Sequence, residues 1–171
     1  QVVKQIVANN EVRYWILEKV LAQSEVGLEE ILSMTRNSSG SWMNTPRRMM
    51  VWHKQIRKKL LITAPLTVKV SGALLGLACN GIHYLDLVSW WSGEKLNKID
   101  VSELDPQWIE SKRKGFFDIT DKITAVFSEG TTLSIESRLD GPPFTLAVET
   151  HGKILKIDEL KGVASGSHGV L

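Results

Sequence analysis

Apolar residues fall along this chain in more than one rhythm, and the changes of rhythm mark out its elements. Val12-Arg13-Tyr14-Trp15-Ile16-Leu17 is a short β-prone run ending at the polar pair Glu18-Lys19, the pattern of a buried strand. Val26, Ile31 and Leu32 then recur near helical spacing, with Ser24 placed to cap the first turn, Glu25 inside it, and Arg36, Asn37 and Gly40 to stop it. A strand followed by a helix is half of an α/β unit and needs a parallel sheet to belong to. Nothing before Gln1 supplies one, so the sequence reads as beginning inside a domain. Ser41 to Asn44 is a second short strand candidate. Thr45-Pro46 predicts a helix start, with threonine as cap and proline at the first helical position, running to about Leu61.

From Pro65 the character changes. Leu66-Thr67-Val68-Lys69-Val70 alternates with period two until Gly72 breaks it, and a mainly apolar helix over Leu75 to Trp91 ends at Ser92-Gly93. Strand candidates follow at Leu96 to Val101, Gly115 to Ile119, Lys122 to Phe127, Thr131 to Ser137, Phe144 to Glu149 and Lys153 to Ile157. Asp105-Pro106, Ser128-Glu129-Gly130, Asp140-Gly141-Pro142-Pro143 and His151-Gly152 separate them with turn chemistry. Short turns between neighbours predict an antiparallel meander, one face of which must be covered by the helices or by a second copy of the chain. The tail from Lys161 is small and glycine-rich, and no closing element is expected in it. The expected fold class is α+β, an open, mainly antiparallel β-sheet with helices on one face. No internal repeat is visible.

Composition narrows the functional classes. In 171 residues, 43% hydrophobic and 23% charged, there is enough apolar material for a real core. The 21 basic and 19 acidic residues leave a net charge of +2, so no overall field attracts nucleic acid or anionic lipid. The basic stretch His53, Lys54, Arg57, Lys58 and Lys59 reads as a solvated helix face. The one cysteine, Cys79, excludes an intrachain disulfide, and no secretory leader pattern is visible, which points to the cytoplasm. The apolar stretch near Leu74 to Trp91 is interrupted by Asn80, His83 and Asp86 and falls short of the roughly 20 residues that a membrane span needs.

Candidate chemistry concentrates on that same helix. Cys79, His83, Asp86 and Trp90 share one face by their spacing, so Asp86 can fix the imidazole of His83 as a general acid or base requires. On spacing alone a satisfied core histidine is the commoner reading. A metal site at Cys79, His83 and Asp86 is disfavoured, since no second Cys or His pair stands at ligand spacing. Arg47 and Arg48 stand in the first turn of the helix expected from Thr45, where cations are disfavoured by the macrodipole. An anionic substrate group gripped there would explain them; solvated side chains are the alternative.

Gly81-Ile82-His83-Tyr84-Leu85-Asp86-Leu87 with Trp90 and Gly93 resembles the substrate-domain signature of the glucose-fructose oxidoreductase, inositol dehydrogenase and MocA family. Two upstream segments agree. Trp15-Ile16-Leu17-Glu18-Lys19 is similar to the family's strand ending in Glu-Lys-Pro, and Trp42-Met43-Asn44 with Arg47 and Arg48 to the segment opening its substrate domain. The resemblance implies residues 1–40 as the end of a Rossmann nucleotide-binding domain and 41–171 as a substrate-binding and dimerisation domain. It implies hydride transfer between NAD or NADP and a hydroxyl carbon of a sugar, cyclitol or sugar nucleotide. Lys19 and His83 would be catalytic, Glu18 and Lys19 cofactor-binding, and Asn44, Arg47, Arg48 and Asn80 substrate-binding, with Cys79 and Asp86 in support. A homodimer through the sheet is implied as well. Val20 stands where the family has proline, and Cys79 where it has an acidic residue four positions before the histidine. The dinucleotide glycines lie upstream in the family, so the chain alone is expected to be inactive; a sugar-binding or assembly module that kept the fold is the rival reading.

Overall fold

The computed structural model describes residues 2–60, 65–111, 113–166 and 169–170. It divides into two compact units, Gln1–Thr45 and Pro46–Leu171. In the first unit the order is α1 (Val2–Asn9), β1 (Tyr14–Leu17), α2 (Glu25–Thr35) and β2 (Gly40–Met43). The helix α1 has no counterpart in the sequence reading. The Ser24 side chain accepts from the Gly27 amide at 3.1 Å, the expected cap of α2. The parallel partner of β1 comes from later in the chain, not from before it: β2 pairs parallel with β1, Tyr14 opposite Gly40 and Leu17 opposite Met43. The first unit runs through Thr45.

The second unit opens with a 3-10 turn, Pro46–Met49, and then α3 (Val51–Leu60). One continuous helix was expected here. The chain instead tightens around Pro46 and re-forms after Met50, so Arg47 and Arg48 sit in the 3-10 turn. The expected end near Leu61 lies outside the described residues. Next come β3 (Thr67–Ala73), α4 (Leu77–Ser92), β4 (Leu96–Asp100), β5 (Ile109–Glu110), β6 (Phe117–Asp118), β7 (Asp121–Phe127), β8 (Thr132–Arg138), β9 (Thr145–Thr150), β10 (Lys153–Asp158), β11 (Val163–Gly166) and β12 (Gly169–Val170). The expectation of a tail with no closing element is corrected by β11 and β12, which extend the sheet edge.

Eight strands form one sheet in the order β12-β11-β10-β9-β3-β8-β7-β4, and β5 and β6 form a separate small ribbon. Every pairing in the large sheet is antiparallel except that of β3 with β8. The meander is therefore interrupted, because β3 inserts between β8 and β9. Gly72 does not break β3, which runs on to Ala73. A Cβ at Gly72 would stand 3.1 Å from the Phe144 Cα, so a close backbone approach explains the glycine.

Registry aligns Val148, Val68 and Leu133 in one row and Leu146, Val70 and Ile135 in the next, all buried on one face. Across them α4 lays Leu77, Tyr84, Leu87, Val88 and Trp91. Each large side chain fully buried in this way contributes about 1.5–3 kcal/mol. Gly93, at φ 73°, ends α4 with its amide on the Ser89 carbonyl. At the other end Asp118 accepts from the Ala78 amide at 2.8 Å, which ties the ribbon to the first turn of the helix. The face away from α4 carries Lys69, Ser134, Thr124 and Ala147 in one row, so the helices already cover the apolar face and the open one is largely polar. No described helix is long and apolar enough to cross a membrane.

Candidate functional site

Parallel pairing of β1 and β2 brings the ends of the two strands together. Asn44 donates its amide hydrogen to the Leu17 carbonyl at 2.7 Å, and its side chain donates to Glu18 Oε2 at 2.9 Å. Lys19 follows directly, and the Lys19–Val20 peptide is cis. Three of the expected residues, Glu18, Lys19 and Asn44, thus meet in the first unit; the others belong to the second.

In the second unit α4 presents His83, which is buried, and Cys79, which is exposed. A helical turn separates the two, and the thiol faces water rather than the core. Asn80 turns back on the start of the helix, donating to the Leu75 carbonyl at 2.6 Å. Asp86 accepts from Arg48 Nη2 at 2.7 Å through Oδ1, while its Oδ2 is buried without a hydrogen-bond partner among the described residues. The ion pair described for Asp86 is with the 3-10 turn, one helical turn beyond His83.

Arg47 makes the densest set of contacts. Its Nε and Nη2 donate to the two carboxylate oxygens of Glu159 at 2.9 and 3.2 Å, and Nη2 also donates to the Tyr84 hydroxyl at 3.1 Å. The guanidinium carbon lies 4.4 Å over the Tyr84 ring. His53 closes the cluster, with Nε2 3.0 Å from Glu159 Oε1 and its ring packed edge-on against Trp91 at 5.3 Å. The solvated basic face expected for α3 holds for the exposed Lys54, Arg57, Lys58 and Lys59, with Arg57 4.7 Å over the Trp90 ring, but not for His53, which is fully buried. Burial pushes the Tyr84 phenol up to about 12 against the opposing pull of Arg47. Burial also raises Glu159, but hydrogen bonds from His53 and Arg47, with the guanidinium charge, outweigh it and hold the carboxyl below its ordinary range.

Tyr84, His53 and Glu159 were not among the residues expected from sequence. Tyr84 is next to His83 and could have been weighed with it. Glu159 sits in a turn of ordinary composition, and no local signal marks it. Among the described residues no group of three or more His, Cys, Asp or Glu could hold a metal ion.

No protein-family model and no curated protein matches the chain. Solved structures do match. One is myo-inositol dehydrogenase from Lactobacillus casei in complex with NAD(H) and myo-inositol, at 19% identity and TM-score 0.62 over 91% of this chain and 50% of that one. Another is an oxidoreductase from Agrobacterium radiobacter in complex with NAD+, L-tartaric acid and magnesium, at 14% identity and TM-score 0.65 over 99% of this chain and 56% of that one. A third is UDP-N-acetylglucosamine 3-dehydrogenase from Acidithiobacillus ferrooxidans, at 12% identity and TM-score 0.58 over 90% and 52%. The fold is that of the glucose-fructose oxidoreductase, inositol dehydrogenase and MocA oxidoreductases. The chain spans about half the length of these structures. Coverage of most of this chain and about half of each matched chain is consistent with a carboxy-terminal portion of that fold.

Proposed function

We propose that this chain is the substrate-binding part of a cytoplasmic NAD(P)-dependent oxidoreductase acting on a hydroxyl carbon of a sugar, cyclitol or sugar nucleotide. The observation that carries the reading is the shared fold with His83 buried on α4, on the helix that Arg47 and Arg48 brace through Tyr84 and Asp86. NAD or NADP, when bound, takes or gives the hydride. His83 takes the hydroxyl proton as the alcohol is oxidised, or returns it on reduction, with Lys19 as its partner at the reacting oxygen. Glu18 and Lys19 face the cofactor from the end of β1. The loop after β1, Glu18 to Ser24, contains no glycine to cradle a pyrophosphate, so these residues fit only the nicotinamide side. Asn44, Arg47, Arg48 and Asn80 orient the substrate. The sheet pairs two copies through its open face.

A second reading, a sugar-binding module without chemistry, is favoured by the exposed thiol of Cys79 where the family carries an acid. Both are tested in the complete natural protein, by following nicotinamide reduction with a panel that includes myo-inositol, L-tartrate and UDP-N-acetylglucosamine. Turnover that falls by about 10²–10⁴ in His83→Ala, with cofactor affinity unchanged and Cys79→Ala within about threefold of the parent, is the expected result. Ligand binding without turnover establishes the second reading. Equal loss in the two variants overturns the role of His83.

A further inference from the structure

We infer that the face of α4 beside His83 discriminates against anionic groups and takes an uncharged, hydroxyl-bearing part of the substrate, with Glu159 and Asp86 as the specificity-determining residues. The inference rests on reading this face as the substrate side, as proposed above. Two arginines in adjacent positions ordinarily mark a grip for phosphate or carboxylate, because a guanidinium fork matches either group. Here both guanidinium groups are paired with carboxylates of the chain itself, Arg47 through its fork and Arg48 through one nitrogen. Arg47 is held by Glu159 through two parallel bonds, at 2.9 and 3.2 Å, and Arg48 by Asp86 at 2.7 Å. The two positive charges are balanced by two negative ones on the same surface.

The geometry makes the Arg47 pair a fixed one. Glu159 Oε1 is also met by His53 Nε2 at 3.0 Å, and His53 is fully buried against Trp91. His53 meets Glu159 through Nε2, and its Nδ1 is buried with no hydrogen-bond partner among the described residues. The turn carrying Glu159 is itself closed, as Asp158 Oδ1 accepts the amide hydrogens of Leu160 and Lys161 at 3.1 and 3.0 Å. An incoming anion would have to displace a half-buried carboxylate from its bidentate partner and leave that carboxylate uncompensated, a costly exchange. A hydroxyl group needs no such exchange, because it can bond to a guanidinium or carboxylate edge whose charge is already balanced. A negative charge elsewhere on the substrate, such as the diphosphate of a sugar nucleotide, is accommodated only away from this face.

The test uses the 15N-labelled chain titrated with inorganic phosphate and with D-glucuronate, following the side-chain Nε–H signals of Arg47 and Arg48. In the parent chain these signals stay in place up to about 10 mM of either anion. In Glu159→Gln, where Arg47 loses its countercharge, the Arg47 signal moves and anion affinity rises at least about tenfold. Asp86→Asn gives the same readout at Arg48 and serves if Glu159→Gln does not fold. Saturation of the parent arginines below about 1 mM phosphate, or folded variants that gain no anion affinity, overturns the inference. Failure of the oxidoreductase reading shows itself separately, as absence of hydride transfer in the complete protein, and leaves this titration unaffected.

Discussion

Tyr84 and Glu159 are shifted in opposite directions, the phenol raised chiefly by its burial and the carboxyl lowered, against burial, by hydrogen bonds from His53 and Arg47. The Tyr84 phenol ordinarily titrates near 10 and is pushed up to about 12 here. A folded-state value above the unfolded one means that its contribution is complete below pH 10 and is lost as pH rises toward 12. Thermal melts of Tyr84→Phe should therefore show a flatter alkaline limb than the parent, after allowance for the lost Arg47 hydrogen bond. Glu159 runs the other way. Its folded value lies below the ordinary 4.5, so its contribution is present above that value and is lost as pH falls through the depressed one. Glu159→Gln should lower stability near neutrality and show a weaker decline as pH falls below the ordinary 4.5. An acid limb unchanged by the substitution would remove Glu159 as its source. Of this cluster only Arg47 stood out in the sequence; Glu159 lies 112 residues away from it and meets it only in the folded chain.

Among the elements, α4 takes its first-turn cap from outside itself. Its N-cap position is Gly76, which has no side chain to offer, and Asp118 from β6 takes the Ala78 amide instead. Beyond its last turn the buried Glu94 accepts from the Glu129 and Thr131 amides at 2.8 and 3.2 Å and from the Thr131 hydroxyl, which fastens the turn between β7 and β8. Glu94→Ala leaves the buried Thr131 amide and hydroxyl and the part-buried Glu129 amide without this acceptor, and should cost about 2–4 kcal/mol in urea unfolding. Asp118→Ala should cost about 1 kcal/mol, the usual value of a lost helix cap. Equal effects from the two would mean that burial around Glu94 contributes nothing. The helix itself was legible from its apolar run and the Ser92-Gly93 stop. Its external cap was not, because a cap supplied from another strand leaves no mark at the helix's own N-cap position.

For the whole molecule, the two faces of the sheet differ in character. The apolar face is closed by α4, and the open face bears Lys69, Ser134, Thr124 and Ala147 across neighbouring strands. The proposed pairing of two copies over this face would be a polar and hydrated contact, unlike a buried apolar one. Sedimentation of the chain should show a dimer that weakens when Ser134→Arg places a long cation at the middle of the face, with the thermal midpoint nearly unchanged. A monomer at all concentrations would remove the sheet from the assembly.

The sequence by itself determined the local elements: period-two alternation fixed which side of each strand is apolar, and the spacing on α4 put Cys79, His83, Asp86 and Trp90 on one side of the helix. Both follow from the geometry of the backbone over a few residues. Tertiary structure decided what those patterns could not carry. Alternation is the same whichever strand is the neighbour, so the insertion of β3 between β8 and β9, parallel to β8, was invisible to it. Proline at the first helical position is compatible with either an α-helix or a 3-10 turn, and contacts of Arg47 and Arg48 with α4 and the end of β10 accompany the tighter one. The charge balance of the site was decided at the same level, since a carboxylate far along the chain neutralises an arginine only where folding brings the two within hydrogen-bond distance.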